Sequence, residues 1–172
     1  MKKLALVMLT TAIILLSGCV TKPANITPVK NVQADKYLGK WYEIVRFDNS
    51  FEKGMTNVYA EYSLNPDGTI KVVNSCITPS TGKRSYTTGV AKFVENKNIG
   101  YLKVSFFGPF YSAYVVFKLD YNYKYAYVAS TDKDYLWLLA QTQTVPQNIK
   151  DDFINRAKAL GYDTDKLVWV KQ

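Results

Sequence analysis

The sequence predicts an all-β protein with one C-terminal helix, in which eight antiparallel strands form an up-and-down barrel. Three observations support this prediction. From Tyr37 onward, short β-rich runs alternate with turn signals of hairpin length. Only one connection between these runs, residues 48–56, is long. After the last run, residues 145–161 change to the spacing of an amphipathic helix.

The eight predicted strands are each joined to the next by a turn rich in Asn, Asp, Pro or Gly, the residues that favour tight turns. They cover residues 39–47, 57–64, 69–77, 84–94, 101–107, 112–120, 124–130 and 134–142. Closure of such a sheet removes its exposed edges, and an eight-stranded barrel has room for side chains or for one small ligand.

The predicted helix begins after Pro146 and ends near Gly161, which suits the residue preferences of helix ends. One face of it is apolar and should pack on the barrel, and its members are Ile149, Phe153, Ala157 and Leu160. Residues 166–170 then predict one more short strand.

The first 18 residues have the pattern of a bacterial lipoprotein signal peptide. Lys2 and Lys3 precede an apolar run that is too short to span a bilayer comfortably. The sequence LLSGC that follows resembles a lipobox, which implies cleavage before Cys19 and acylation of that cysteine. Val20 at the next position resembles the pattern for export to the outer membrane. A plain secretory signal is the alternative interpretation.

The chain should therefore consist of a signal peptide (1–18), a lipidated cysteine and tether (19–35) and a barrel with its packed helix (36–172). Removal of the signal takes away two lysines and lowers the net charge from +8 to +6. The basic residues are scattered, as on a solvated surface or one that meets anionic headgroups. We predict no nucleic-acid partner.

The composition excludes several chemistries. The sequence contains no histidine, which removes Ser-His-Asp and Cys-His catalysis, His-ligated zinc and His-ligated haem. With Cys19 acylated, Cys76 is the one thiol left, so no intramolecular disulfide is predicted. We predict no metal and no cofactor.

Alternation along each strand predicts which side chains face the barrel interior. In the first strand, Lys40 and Arg46 should point out, and Trp41, Glu43, Val45 and Phe47 should point in. The interior residues predicted for the other strands are Ala60, Tyr62, Leu64, Ile70, Val72, Asn74, Cys76, Leu102, Val104, Phe106, Ala113, Val115, Phe117, Leu119, Tyr135, Trp137 and Leu139. This set is apolar with a few polar members, and both a ligand cavity and a filled core stay open.

Several stretches resemble the signatures of lipocalins. GKWYEIVRF (39–47) resembles the Gly-x-Trp signature of the first strand, and STDKDYLW (130–137) resembles the second signature. DYLWLLAQTQTVP (134–146) resembles the third, and KVSFFGPFYSAYVV (103–116) looks like two strands of bacterial lipocalins. With the lipobox, residues 36–172 resemble the bacterial outer-membrane lipocalin lipoproteins.

This resemblance implies an outer-membrane, lipid-anchored protein that binds fatty acids or lysophospholipids for membrane maintenance, also under stress. The acyl chain is expected to lie along Ala60, Leu64, Val104, Phe106, Val115, Phe117 and Trp137, near the polar groups of Tyr62, Asn74 and Tyr135. Some relatives dimerise, and the outward-facing Tyr42, Ile44 and Tyr114 are the candidates for a homodimer interface.

Gly39, Trp41 and Gln141 are the structural signature residues that the resemblance implies. Trp41 should close the floor of the barrel, with Glu43 as a buried, hydrogen-bonded acid nearby. Gln141 stands where the family has an arginine, so a cation–π contact with Trp41 worth about 0.5–2 kcal/mol is lost.

Three other functions are weighed against lipid binding. A structural lipoprotein would have a packed barrel instead of a cavity. A lipid-acting enzyme such as an esterase is disfavoured, because the sequence has neither histidine nor a Gly-x-Ser-x-Gly motif. A tetrapyrrole carrier would have to hold its pigment without a histidine ligand.

Overall fold

The computed structural model describes residues 20–172, which form a closed antiparallel barrel. Its elements are α1 (Ala34–Tyr37), β1 (Gly39–Phe47), β2 (Thr56–Leu64), β3 (Ile70–Thr78), β4 (Lys83–Phe93), β5 (Tyr101–Phe107), β6 (Phe110–Leu119), β7 (Tyr125–Ala129), β8 (Leu136–Ala140), α2 (Gln147–Ala159) and β9 (Leu167–Trp169). Because β1 pairs with both β2 and β8, the sheet has no free first or last barrel strand. The predicted eight-stranded barrel with one C-terminal helix is confirmed.

The barrel has two different ends. We call the end where β1 begins the floor, and the end where β1 finishes the mouth. The long connection 48–55 and the short connections 79–82, 108–109 and 130–135 lie at the mouth. The floor is closed by α1, which directly precedes β1. β9 pairs with the mouth half of β1, beyond the last residue at which β1 pairs with β2.

Helix α2 covers one outer face of the barrel, as the apolar face in the sequence predicts. Phe153 and Ala157 are fully buried, and the Phe153 ring meets Tyr127 edge to face at 5.0 Å. Leu136 and Leu138 of β8 alternate with the cavity-lining Trp137 and Leu139, and they belong to the same buried cluster as Phe153. The cover that the outward face of β8 requires is therefore supplied by α2.

An irregularity in β1 changes which of its residues face inward. The pairing of β1 with β8 shifts register between Glu43 and Val45, so one residue is inserted and the alternation reverses. The prediction that Val45 and Phe47 face the interior is wrong. Both pack in the buried cluster that contains Phe153 and Ala157 of α2, which we call the α2 cluster. The outward position predicted for Arg46 is also wrong, because its side chain is fully buried.

A second irregularity affects β6. Its pairing with β7 shifts between Val116 and Lys118. Lys118 does lie outside, and its Nζ contacts Asp152 of α2 at 2.6 Å. Because of the register shift, alternation from Lys118 does not predict which side the residues before it face. Val115 and Phe117 pack in the α2 cluster and not in the interior, which corrects both predictions.

The residues proposed for a homodimer interface do not form an exposed face. Tyr114 lies inside the barrel, where its hydroxyl contacts other buried hydroxyls. Ile44 is buried in the α2 cluster, and Tyr42 packs partly against that cluster. The interface argument from strand alternation fails for the same reason as the interior assignments.

The segment before α1 differs from the predicted tether, because it lies along the barrel. Val29 forms backbone hydrogen bonds with Val116 and Gly100, and Ile26 is almost completely buried. The apolar residues at these positions explain the docking, since each removes its side chain from water. Cys19 and the predicted signal peptide lie outside the described residues. No helix within residues 20–172 is long and apolar enough to cross a membrane.

Candidate functional site

The barrel interior contains a cavity of about 110 Å³. Its wall is mainly apolar and is built by β2, β3, β4, β5 and β8, with polar side chains at the floor and near the mouth. An apolar cavity with a few placed polar groups is the usual form of a small-molecule site. The alternative of a completely filled interior therefore does not describe this barrel.

Six of the ten residues predicted to contact a ligand line this cavity. They are Ala60, Tyr62, Asn74, Val104, Phe106 and Trp137. Ala60, Tyr62 and Asn74 lie where β2 and β3 pair in register. Val104 and Phe106 face the cavity although the pairing of β5 with β6 shifts after Val104. Of the other four, Val115 and Phe117 are directed to α2 by the β6 irregularity.

Leu64 and Tyr135 also lie outside the cavity, for local reasons. Leu64 is the last residue of β2 and is 63% exposed, whereas its partner Ile70 lines the cavity. Tyr135 precedes β8 and contributes to an open depression on the surface together with Phe47 and Asp134. Its ring still lies 5.8 Å from that of Trp137.

Three tyrosines that meet at the floor form what we call the tyrosine triad: Tyr37, Tyr62 and Tyr114. The Tyr114 hydroxyl lies 2.8 Å from that of Tyr37 and 3.1 Å from that of Tyr62. Burial raises the pKa of all three phenols, so they are neutral at physiological pH. Tyr37 and Tyr114 were missed, since one precedes the first strand and the other was assigned to the outer face.

Trp41 closes the floor beneath the triad, as the sequence predicts, and Tyr37 holds it. The two rings stack at 4.7 Å, and the indole nitrogen of Trp41 donates to the backbone carbonyl of Tyr37 at 2.9 Å. Gln141 follows the residue that pairs with Tyr42, which places it beside Trp41, but its side chain is exposed. Gly39 has φ +96°, a conformation that favours glycine and explains this part of the signature.

Two carboxyl groups lie in the cavity wall toward the mouth. Glu43 of β1 is buried, and Glu52 reaches into the cavity from the connection 48–55. Glu52 accepts hydrogen bonds from Asn49 and from the indole nitrogen of Trp137, the latter at 3.3 Å. Burial, and next the charge of Glu52, raises the pKa of Glu43 well above its ordinary value, although Arg46 opposes this. Glu43 therefore holds a proton more readily than an exposed carboxyl group does.

Arg46 is buried next to Glu43 and connects the segment 48–55 to β1 through hydrogen bonds. Its Nη1 is 3.8 Å from Oε1 of Glu43, and its Nη2 donates to the backbone carbonyls of Glu52 and Met55. Nε and Nη1 of Arg46 and Oε1 of Glu43 have no hydrogen-bond partner within the described structure. No residue pattern in the sequence signals this cluster, because it depends on the irregularity in β1.

The arrangement suits binding through shape and hydrogen bonds. Within residues 20–172, no group of three His, Cys, Asp or Glu side chains is placed to hold a metal ion. Cys76 is a partly buried free thiol, 3.2 Å from the hydroxyl of Ser85 on the neighbouring strand. The cavity thus offers an apolar wall, neutral hydroxyl groups at its floor and carboxyl groups near its mouth.

Comparisons with known proteins agree with this architecture. The sequence profile of the lipocalin-like domain matches residues 32–172. The outer membrane lipoprotein Blc of Vibrio cholerae is 48% identical over 160 residues, which cover 92% of this chain and 94% of the relative. Blc of Escherichia coli K12 is 42% identical over 174 residues, which cover 100% of this chain and 98% of the relative. The structure of insecticyanin from the tobacco hornworm Manduca sexta has a TM-score of 0.70 at 19% identity, with 89% of this chain and 87% of that chain covered, and it supports the fold alone. The chain belongs to the lipocalin-like family.

Proposed function

We propose that this protein is a lipid-anchored outer-membrane lipocalin whose barrel binds fatty acids or lysophospholipids for membrane maintenance, also under stress. The observation that carries the proposal is the apolar cavity inside the barrel, which has few polar groups. The names of the related outer membrane lipoproteins support the location. Anchoring through Cys19 agrees with it, because a multiply acylated cysteine holds a protein on a membrane.

The size of the cavity favours a slender ligand. Its volume of about 110 Å³ is small beside the roughly 300–1,000 Å³ of sites for drug-sized molecules. A single acyl chain fits such a space better than a two-chain phospholipid or a tetrapyrrole. In this proposal the chain lies along Ala60, Val104, Phe106 and Trp137, with Tyr62 and Asn74 as polar neighbours.

Binding is tested with delipidated protein, hexadecanoic acid and a single-chain lysophospholipid. We expect saturable heat in calorimetry and a change in tryptophan fluorescence, because Trp137 lines the cavity. A Trp137→Phe variant should retain the heat and lose most of the fluorescence change, since Trp41 is sealed in the floor and Trp169 lies outside. Absence of heat with both lipids would refute the proposal.

A matched pair of variants tests the position of the ligand. Val104→Trp places a large ring in the cavity and should abolish binding. Val94→Trp adds the same ring at a position that is 39% exposed and should leave binding intact. Equal effects of the two substitutions would show that the lipid binds elsewhere.

The anchor is tested separately from ligand binding. Cys19→Ser should abolish metabolic labelling with palmitate and move the protein from the outer-membrane fraction to a soluble fraction. The purified domain should bind lipid equally well with or without the anchor. Unchanged membrane association of Cys19→Ser would contradict lipid anchoring.

Two parts of the proposal need measurements of their own. The homodimer stays a prediction, and light scattering of the purified protein tests it. We propose that the protein binds lipids without converting them, so incubation with a chromogenic ester should give no turnover above the buffer rate. Turnover that Val104→Trp abolishes would indicate catalysis in the cavity.

A further inference from the structure

The tyrosine triad, Tyr37, Tyr62 and Tyr114, has one more hydrogen-bond donor than it can use internally. Each phenol has a single proton to donate. The triad makes two hydroxyl–hydroxyl contacts, Tyr37 with Tyr114 at 2.8 Å and Tyr62 with Tyr114 at 3.1 Å. Two contacts use two of the three protons, whichever hydroxyl donates in each. The third proton has no acceptor among residues 20–172.

The unused donor lies at the cavity. All three tyrosines line it, and they pack in one apolar cluster with Ile70 and Leu102, which also line it. An O–H group that is buried among apolar side chains is stabilised when it meets an acceptor. The side of the triad that is open to an acceptor is therefore the side where a ligand would end.

The charges of the cavity wall restrict which acceptor this is. The charged side chains in the wall are Glu43 and Glu52, and both are carboxyl groups. Arg46 does not line the cavity, and its Nη2 is directed to backbone carbonyls of the connection 48–55. No cation in the described wall compensates a ligand anion, so a carboxylate or phosphate at the floor would be buried without a partner.

We propose that the tyrosine triad is a subsite for an uncharged oxygen, a hydroxyl or carbonyl group, at the buried end of a slender acyl chain. The cavity then selects single-chain lipids whose tail ends in such an oxygen over lipids with a plain methyl end. This inference rests on the proposed function, since it requires that an acyl chain enters tail first. The polar head of the lipid stays toward the mouth.

The test compares hexadecanoic acid with 16-hydroxyhexadecanoic acid in calorimetric titrations of the delipidated protein. One additional hydrogen bond in a buried site predicts roughly three- to tenfold tighter binding of the hydroxylated chain. In the triple variant Tyr37→Phe/Tyr62→Phe/Tyr114→Phe this preference, measured as the ratio of the two affinities, should disappear. Tyr86→Phe removes the same atom from a side chain that is 62% exposed and should keep the preference.

A measurement on the unmodified protein covers the case in which the triple variant does not fold. 10-Hydroxyhexadecanoic acid carries its oxygen at mid-chain and should bind less tightly than the 16-hydroxy compound. An equal gain for both hydroxylated chains, no gain for the 16-hydroxy chain, or a preference that survives the triple variant would overturn the inference. Binding of hexadecanoic acid without such a preference refutes the subsite alone, whereas no binding of any probe refutes the proposed function as well.

Discussion

Replacement of Glu43 by glutamine should change how the stability of the barrel depends on pH. Glu43 is buried in the cavity wall, close to Glu52 and 3.8 Å from Arg46. Burial, followed by the charge of Glu52, raises the pKa of Glu43 well above its ordinary value of 4.5. The folded protein therefore binds this proton more tightly than the unfolded chain does.

The sign and size of the effect follow from that difference. Below pH 4.5 both states carry the proton, and the contribution of Glu43 to stability is complete. As the pH rises above this value, the unfolded chain releases the proton and the folded protein keeps it, so the free energy of unfolding falls. The slope is about 1.4 kcal/mol per pH unit for one proton and ends at the folded-state pKa.

Urea unfolding of the ligand-free protein at several pH values measures this effect. Glutamine does not ionise, so the stability of Glu43→Gln relative to the unmodified protein should increase as the pH rises. A constant offset between the two proteins reflects changed hydrogen bonding and does not bear on the argument. Glu61→Gln makes the same chemical change at an exposed position of β2 and is the matched control. Parallel stability curves for Glu43→Gln and the unmodified protein would refute the reasoning.

Three further substitutions test how the fold is held together. Burial on its own would raise the pKa of Asp152, but hydrogen bonds from Lys118 and Tyr127 outweigh burial and lower this pKa. Asp152→Asn should cost about 1–2 kcal/mol at neutral pH, reduced by its partial exposure, and the loss should vanish as the pH falls through the folded-state pKa. A loss that does not depend on pH would contradict this. Phe153→Ala should cost about 3–5 kcal/mol in urea unfolding, because this fully buried ring fills the contact between α2 and the barrel, and a loss below 1 kcal/mol would contradict that role. Gly39→Ala should cost about 1–2 kcal/mol because φ is +96°, although no atom lies within 4 Å of an added Cβ, and an unchanged unfolding midpoint would contradict it.

The sequence was sufficient for the barrel and for much of its cavity. Turn residues divided the strands, and alternation along β2, β3 and β5 placed Ala60, Asn74 and Val104 in the cavity wall. Glu61, Lys71 and Lys103 lie on the outer side of these strands and mark that side clearly. The end of β2 is the exception, because Leu64 extends past the cavity into solvent.

Alternation failed in β1 and β6 for two physical reasons. Each strand contains a register shift that no residue type in the sequence announces, and one inserted residue reverses all later assignments. Both strands also contribute to the surface beneath α2, so their outer faces are as apolar as their inner faces. Val115 and Val116 show this, since one packs toward the helix and the other in the barrel interior.

The irregularity in β1 also determines the chemistry of the cavity wall. With regular alternation Arg46 would point outward, away from the connection 48–55. With the register shift its guanidinium is buried and donates to the carbonyls of Glu52 and Met55 in the connection 48–55. That connection is thereby held so that the carboxyl group of Glu52 reaches Trp137 and lies close enough to Glu43 to raise its pKa. The acidic part of the cavity thus depends on one inserted residue in a strand whose sequence looks regular.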